Sequence, residues 1–138
     1  MLIMRKLTLI AALICCAAGA MAQYTATWKG GKPGQATEWN IAANWKEGRV
    51  PDEFTQVIIP ASAAHFPVIS RSAADIDALM IESGAQLTIL ASGSLTITGE
   101  TGRYTGAANL GIIDNQGMLI VNIPDWMGGA SEMAAGKR

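Results

Sequence analysis

Apolar and variable residues alternate over four short stretches, Leu79-Met80-Ile81, Leu87-Thr88-Ile89, Leu95-Thr96-Ile97 and Leu119-Ile120-Val121. A period of two places the flanking apolar residues on one face of a strand and the middle residue on the other. The first three leucines, at positions 79, 87 and 95, are evenly spaced, and Ser83-Gly84, Ser92-Gly93 and Gln116-Gly117 supply turn residues between the stretches. β-branched residues and glycines recur too often for helix. Upstream, residues 24–29 read as a short strand, and turn residues follow at Gly30-Gly31, Pro33-Gly34 and positions 48–51. The β-branched run Val57-Ile58-Ile59 ends at Pro60 as a short buried strand would. The pattern predicts an all-β chain.

Two architectures fit it. An antiparallel β-meander or sandwich joins the strands at 87 and 95 through the Ser92-Gly93 turn. A right-handed parallel β-helix puts strands adjacent in sequence on different faces of a coil, each stacked on its counterpart one coil later. Even, short repeats favour the solenoid, because each unit buries its apolar face only against the next. Either way Leu79, Ile81, Leu87, Ile89, Leu95, Ile97, Leu119 and Val121 are expected inside, with Thr88 and Thr96 outside.

The N-terminus changes the compartment. Arg5 and Lys6 precede an apolar run over residues 7–18, and Ala20-Met21-Ala22 stands before Gln23. These are the three parts of a secretory signal peptide, residues 1–22, and the run is shorter than the roughly 20 residues a membrane span needs. A lipoprotein anchor at Cys15 or Cys16 fits less well, since Ile14 and Cys15 precede them where a small residue is usual. The expected location is therefore exported: periplasmic, outer surface or extracellular, with no transmembrane anchor in the mature chain. Cleavage removes two of the 10 basic residues, leaving 8 against 11 acidic ones, a net charge of −3, and removes both cysteines. That excludes a disulfide framework or thiolate site in the mature chain. Scattered cations in a mildly acidic chain argue against a nucleic-acid partner.

Candidate chemistry is sparse. His65, the single histidine, has Ala64 and Phe66 as neighbours and reads as a loop or core residue, so no metal site is expected. Asp75 and Asp77 would share one face of a strand and hold calcium or a glycan, although a solvated turn is the plainer reading. Ser92-Gly93-Ser94 lacks a nucleophile elbow. Gly99, Gly102 and Gly106 lack the lysine and helix of a phosphate loop, so Arg103 and Tyr104 read as a surface loop tip. No catalytic, cofactor-binding or metal-ligating residues and no cofactor are expected. Three of the four tryptophans, Trp28, Trp39 and Trp45, lie among Gly, Asn and Pro within residues 23–60.

Trp28-Lys29-Gly30, Trp39-Asn40, Asn44-Trp45-x-x-Gly48-x-x-Pro51, Val57-Ile58-Ile59-Pro60 and Leu79-x-Ile81-x-x-Gly84-Ala85-x-Leu87-x-Ile89 together are notable. They resemble the N-terminal region of secreted and surface adhesin-like proteins of Bacteroidetes-type bacteria. Those proteins look like right-handed parallel β-helices with haemagglutinin-like repeats. The resemblance covers about residues 26–122. Such proteins are typically longer and often carry a C-terminal sorting domain, so the chain reads as a free-standing module or as part of a longer adhesin.

The resemblance implies a Trp-rich N-terminal cap over residues 23–60 and β-solenoid repeats over 61–123, while residues 124–138 lack periodicity and read as a flexible tail. An open β-helix end exposes strand edges and core side chains that must be covered, and Trp28, Trp39 and Trp45 carry apolar area suited to that. The expected function is a secreted or cell-surface, non-catalytic structural or adhesion module. Its partner would be a glycan or a host or cell-surface ligand, and self-association through the open solenoid end is expected. The alternative is a carbohydrate-binding module in which exposed Trp28, Trp39 and Trp45 stack on sugar rings while Asn40 and Asn44 hydrogen-bond. A remnant of a polysaccharide-degrading β-helix enzyme would need clustered carboxylates, and the acids here are dispersed.

Overall fold

A computed structural model describes residues 24–73, 75–99 and 107–122. The signal segment, the loop tip with Arg103 and Tyr104, and the tail over 124–138 lie outside the described residues. Short strands form at residues 24–27, at every stretch that the alternation and the β-branched run mark, and at three more, residues 68–69, 107–109 and 112–115, that no such pattern announces. These are β1 (Tyr24–Thr27), β2 (Thr55–Ile59), β3 (Val68–Ile69), β4 (Ala78–Ile81), β5 (Gln86–Ile89), β6 (Ser94–Ile97), β7 (Ala107–Asn109), β8 (Ile112–Asn115) and β9 (Met118–Val121). The only helical element among the described residues is a 3-10 turn, Ala42–Asn44. The fold is all-β.

Every pair among the described strands is parallel, while the isolated bridge between Trp28 and Trp45 is antiparallel. β1, β2, β4 and β7 form one sheet, β3, β5 and β8 a second, and β6 and β9 a third. The chain therefore visits the three sheets in turn, β4 to β5 to β6, and repeats the visit as β7 to β8 to β9. Two side-chain bonds span the same interval along the chain. Ser92 Oγ donates to the Ser70 carbonyl and Thr98 Oγ1 to the Ile76 carbonyl, each 22 residues earlier. The antiparallel meander is corrected: β5 pairs with β3 and β8, never with β6. A hairpin at Ser92-Gly93 would set β5 beside β6; instead Gly93 lies against the Ile69 backbone, where a Cβ would come within 2.2 Å of the carbonyl oxygen. β1 and β2, inside the stretch expected to be cap, belong to the same sheet as β4.

Parallel register keeps inward positions inward from one circuit to the next. Val57 stands beside Leu79, Ile59 beside Ile81, Ile69 beside Ile89 and Leu95 beside Leu119. All eight of these are buried, as are Leu87, Ile76 and Ile97. Burying such a side chain contributes roughly 1.5–3 kcal/mol. Thr88 and Thr96 point outward and are half-buried.

Two glycines between strands let neighbouring chain segments approach closely. A Cβ on Gly93 would lie 2.2 Å from the Ile69 carbonyl oxygen, and one on Gly117 would lie 2.3 Å from the carbonyl oxygens of Gly93 and Leu90. Only hydrogen fits at these two positions. The strands β8 and β9 are dressed differently from their partners β5 and β6. Ile112, Met118 and Ile120 stand in register with Gln86, Ser94 and Thr96 and are exposed, as is Leu110. Ile113 and Val121, inward residues of β8 and β9, remain partly buried.

Candidate functional site

The chain between β1 and β2 is organised by one asparagine. Asn44 is fully buried at the end of the 3-10 turn. Its Oδ1 accepts from the Lys32 N–H (2.9 Å), and its Nδ2 donates to the carbonyls of Gln35 (2.6 Å) and Glu38 (2.9 Å). Its carbonyl accepts from the N–H groups of Lys29 and Gly30, both at 3.0 Å. A buried amide with both ends satisfied fixes the loop around it, whereas a lost partner leaves polar groups uncompensated. Asn44→Ala is therefore expected to cost roughly 1–3 kcal/mol. Asn44→Asp should cost at least as much, because a carboxylate cannot donate to the Gln35 and Glu38 carbonyls. Urea titration of the two variants checks this; an unperturbed Asn44→Asp midpoint would contradict it.

The three tryptophans pack around that framework as one cluster. Trp45 meets Trp28 edge to face with centroids 5.1 Å apart, and Trp39 in the same manner at 4.8 Å. Such pairs add about 0.5–1.5 kcal/mol beyond their buried area. Trp28 Nε1 donates to the His65 carbonyl (2.7 Å) and Trp45 Nε1 to the Trp39 carbonyl (2.8 Å), while Trp39 Nε1 is buried without a partner. None of the three is more than 1% exposed. Sugar stacking needs an open ring face, and these tryptophans have none; Asn44 is likewise spent on the backbone. The cluster joins the strand core without a break, since Ala26, Val57, Ile59 and Ile69 belong to the same buried group.

Other residues singled out in the sequence scatter. His65 is exposed and serves through its carbonyl. Asp75 is exposed but Asp77 is fully buried, so the two do not share a solvated face. The reason is local: Asp77 sits between the bridge at Ile76 and the start of β4, with its N–H on the Thr55 carbonyl and its carbonyl accepting from Gly99. Among the described residues no group of three His, Cys, Asp or Glu could hold a metal ion.

A site that the residue patterns do not announce lies beside the tryptophans. Glu38 bridges in parallel to Val68, with the Val68 N–H on the Thr37 carbonyl and the Trp39 N–H on the Val68 carbonyl. This splices the first loop onto the edge of β3 and leaves a half-open cavity of about 450 Å³. Gly34, Gln35, Glu38, Asn40, Ile41 and Arg71 line it. Ser70 Oγ donates to Glu38 Oε2 (2.9 Å), and Asn40 Nδ2 reaches the Ser72 carbonyl at 3.4 Å. Of the lining residues, the sequence marks Gly34 only as a turn residue and Asn40 only as a hydrogen-bonding neighbour of Trp39. Glu38 and Arg71 are far apart along the chain and follow no periodicity, so no pattern joins them.

The residues that fold in this way define a class before they define a function: a family of domains recognised over residues 27–131. The chain belongs to that family, described as a domain of unknown function (DUF8693). No curated protein and no solved structure matches it.

Proposed function

We propose that this chain is an exported, non-catalytic module of the cell surface that serves structural or adhesive contact, built as a short right-handed parallel β-helix with a tryptophan lid at its N-terminal end. The observation that carries this reading is the register. β4, β5 and β6 lie in three different sheets, and each pairs in parallel with the strand one circuit later. Parallel crossovers are right-handed in about 98% of cases, which gives the coil its hand. Stacked circuits with a continuous dry core make a stiff support whose outer faces vary freely, a suitable base for contact with another surface. The buried cluster of Trp28, Trp39 and Trp45 over the first strands supports the lid. The three-part N-terminus supports export, and the resemblance to adhesin-like surface proteins supports the destination. No helix among the described residues is long and apolar enough to cross a membrane.

The test is location in the producing cell. The mature protein is expected to begin at Gln23 and to be digested when intact cells are treated with a protease. Protein retained inside the cell with Met1 in place would contradict the proposal. A carbohydrate-binding reading also stands, favoured by the polar cavity at Glu38 and Arg71 and not by the tryptophans.

A further inference from the structure

We infer that the cavity lined by Glu38, Asn40, Ile41 and Arg71 is a binding site for an uncharged, polyhydroxylated ligand, a saccharide. It deepens the adhesion reading by naming the contact through which the module holds its ligand.

Three features point to this chemistry. Glu38 and Arg71 line the same cavity but form no ion pair, the one ion pair among the described residues being Arg49–Asp52. An acceptor and a donor of opposite charge thus line one cavity without pairing with each other. Second, the carboxylate is already oriented. Ser70 holds Oε2, so Oε1 is left to accept a further hydrogen bond, and the Glu38 backbone is tied down by Asn44 and by the bridge to Val68. Third, the wall is amide-rich, with Gln35 and Asn40, and Ile41 contributes an apolar patch.

A hydroxyl both donates and accepts, so neighbouring hydroxyls of a sugar can satisfy Glu38 and Arg71 together. The C–H face of the ring would lie on Ile41. Other ligands fit less well. An inorganic phosphate would be drawn by Arg71 and repelled by Glu38. A divalent cation would find one carboxylate where it needs six or more oxygens and an adjacent guanidinium. A free amino acid could match both charges, but in a half-open, solvent-facing cavity that pairing is screened and weak. A cavity of about 450 Å³ lies in the usual range for small-molecule sites, about 300–1,000 Å³.

The experiment is calorimetric titration of the purified protein with a panel of neutral trisaccharides based on glucose, galactose and N-acetylglucosamine. Glycine and inorganic phosphate serve as parallel arms. At least one trisaccharide is expected to bind, and Glu38→Gln and Arg71→Ala should each weaken it about tenfold or more, as loss of a charge-assisted hydrogen bond does. Arg71 is exposed, so Arg71→Ala should melt as the parent does, and it decides the matter even where Glu38→Gln perturbs the loop. Three results would overturn the inference: no trisaccharide binding, binding that survives both variants, or binding of glycine or phosphate alone. A protein digested at the cell surface that binds no trisaccharide would sink the saccharide site and leave the adhesion reading standing. One that binds a trisaccharide through Arg71 but stays inside the cell would do the reverse.

Discussion

Trp45→Ala is expected to lower the unfolding free energy by about 3–5 kcal/mol, the usual cost of emptying a buried aromatic site, and to bring the melting midpoint down by roughly 10–20 °C. Trp45 is the centre of its cluster. Its ring meets Trp28 on one side and Trp39 on the other, and its Nε1 satisfies the Trp39 carbonyl. The substitution removes two aromatic contacts, leaves a buried carbonyl without its donor, and opens a space that the rigid 3-10 turn beside it cannot fill. Trp45→Phe should fall between parent and alanine variant, since it keeps most of the area and loses the donor. Thermal unfolding followed by tryptophan fluorescence and by circular dichroism checks the series. A Trp45→Ala protein that melts with the parent would mean that the tryptophan cluster contributes nothing to the core.

Gly93→Ala is expected to rival it, with a loss of about 3 kcal/mol or more, at the upper end of what overpacking costs. The added methyl would sit 2.2 Å from the Ile69 carbonyl oxygen, a backbone atom that cannot rotate away, and would press the circuits apart at a corner. Gly84→Ala is the control. Gly84 has φ +91°, but its nearest neighbour is the Ala61 Cβ at 3.6 Å. The cost there is backbone strain alone, about 1–2 kcal/mol. Denaturant midpoints for the two variants should therefore be well separated, Gly93→Ala the lower. Equal midpoints would remove close stacking as the role of the corner glycine.

Six of the nine described strands are legible in the sequence because their signal is local, whereas residues 68–69, 107–109 and 112–115 carry no such alternation. Leu87-Thr88-Ile89 and Leu95-Thr96-Ile97 state inside and outside at every position, and the described structure keeps each one. Direction of pairing was not legible. A Ser-Gly pair between two such stretches suits a hairpin turn as well as a solenoid corner. What separates them is whether Gly93 meets the Ile69 backbone, 24 positions away in the numbering, and no local pattern carries that. The tryptophans were visible as a group, but their burial depends on Asn44 closing the loop around them. Asn44 was noted for a possible sugar contact, whereas its amide is consumed by backbone partners. Asp77 was expected in a solvated turn and is buried, because the strand it opens is covered by neighbours on both sides. The cavity at Glu38 and Arg71 was not seen at all. It exists only once Glu38 has been laid beside Val68, a contact 30 positions apart.

The parallel stacking of circuits is the claim on which the rest stands, and engineered disulfides measure it most directly. Thr88 and Asp114 are register partners on β5 and β8. Neighbouring strands lie about 4.8 Å apart, within the roughly 4.4–6.8 Å between Cα atoms that a disulfide bridges. With both native cysteines confined to positions 15 and 16, a chain beginning at Gln23 has no competing thiol. Thr88→Cys with Asp114→Cys is expected to oxidise to a single intramolecular bond in the folded protein, while Thr88→Cys with Thr96→Cys stays reduced. An antiparallel hairpin that keeps both threonines outside would give the opposite pattern, a bond between positions 88 and 96 and none between 88 and 114, and that result would contradict the parallel stack.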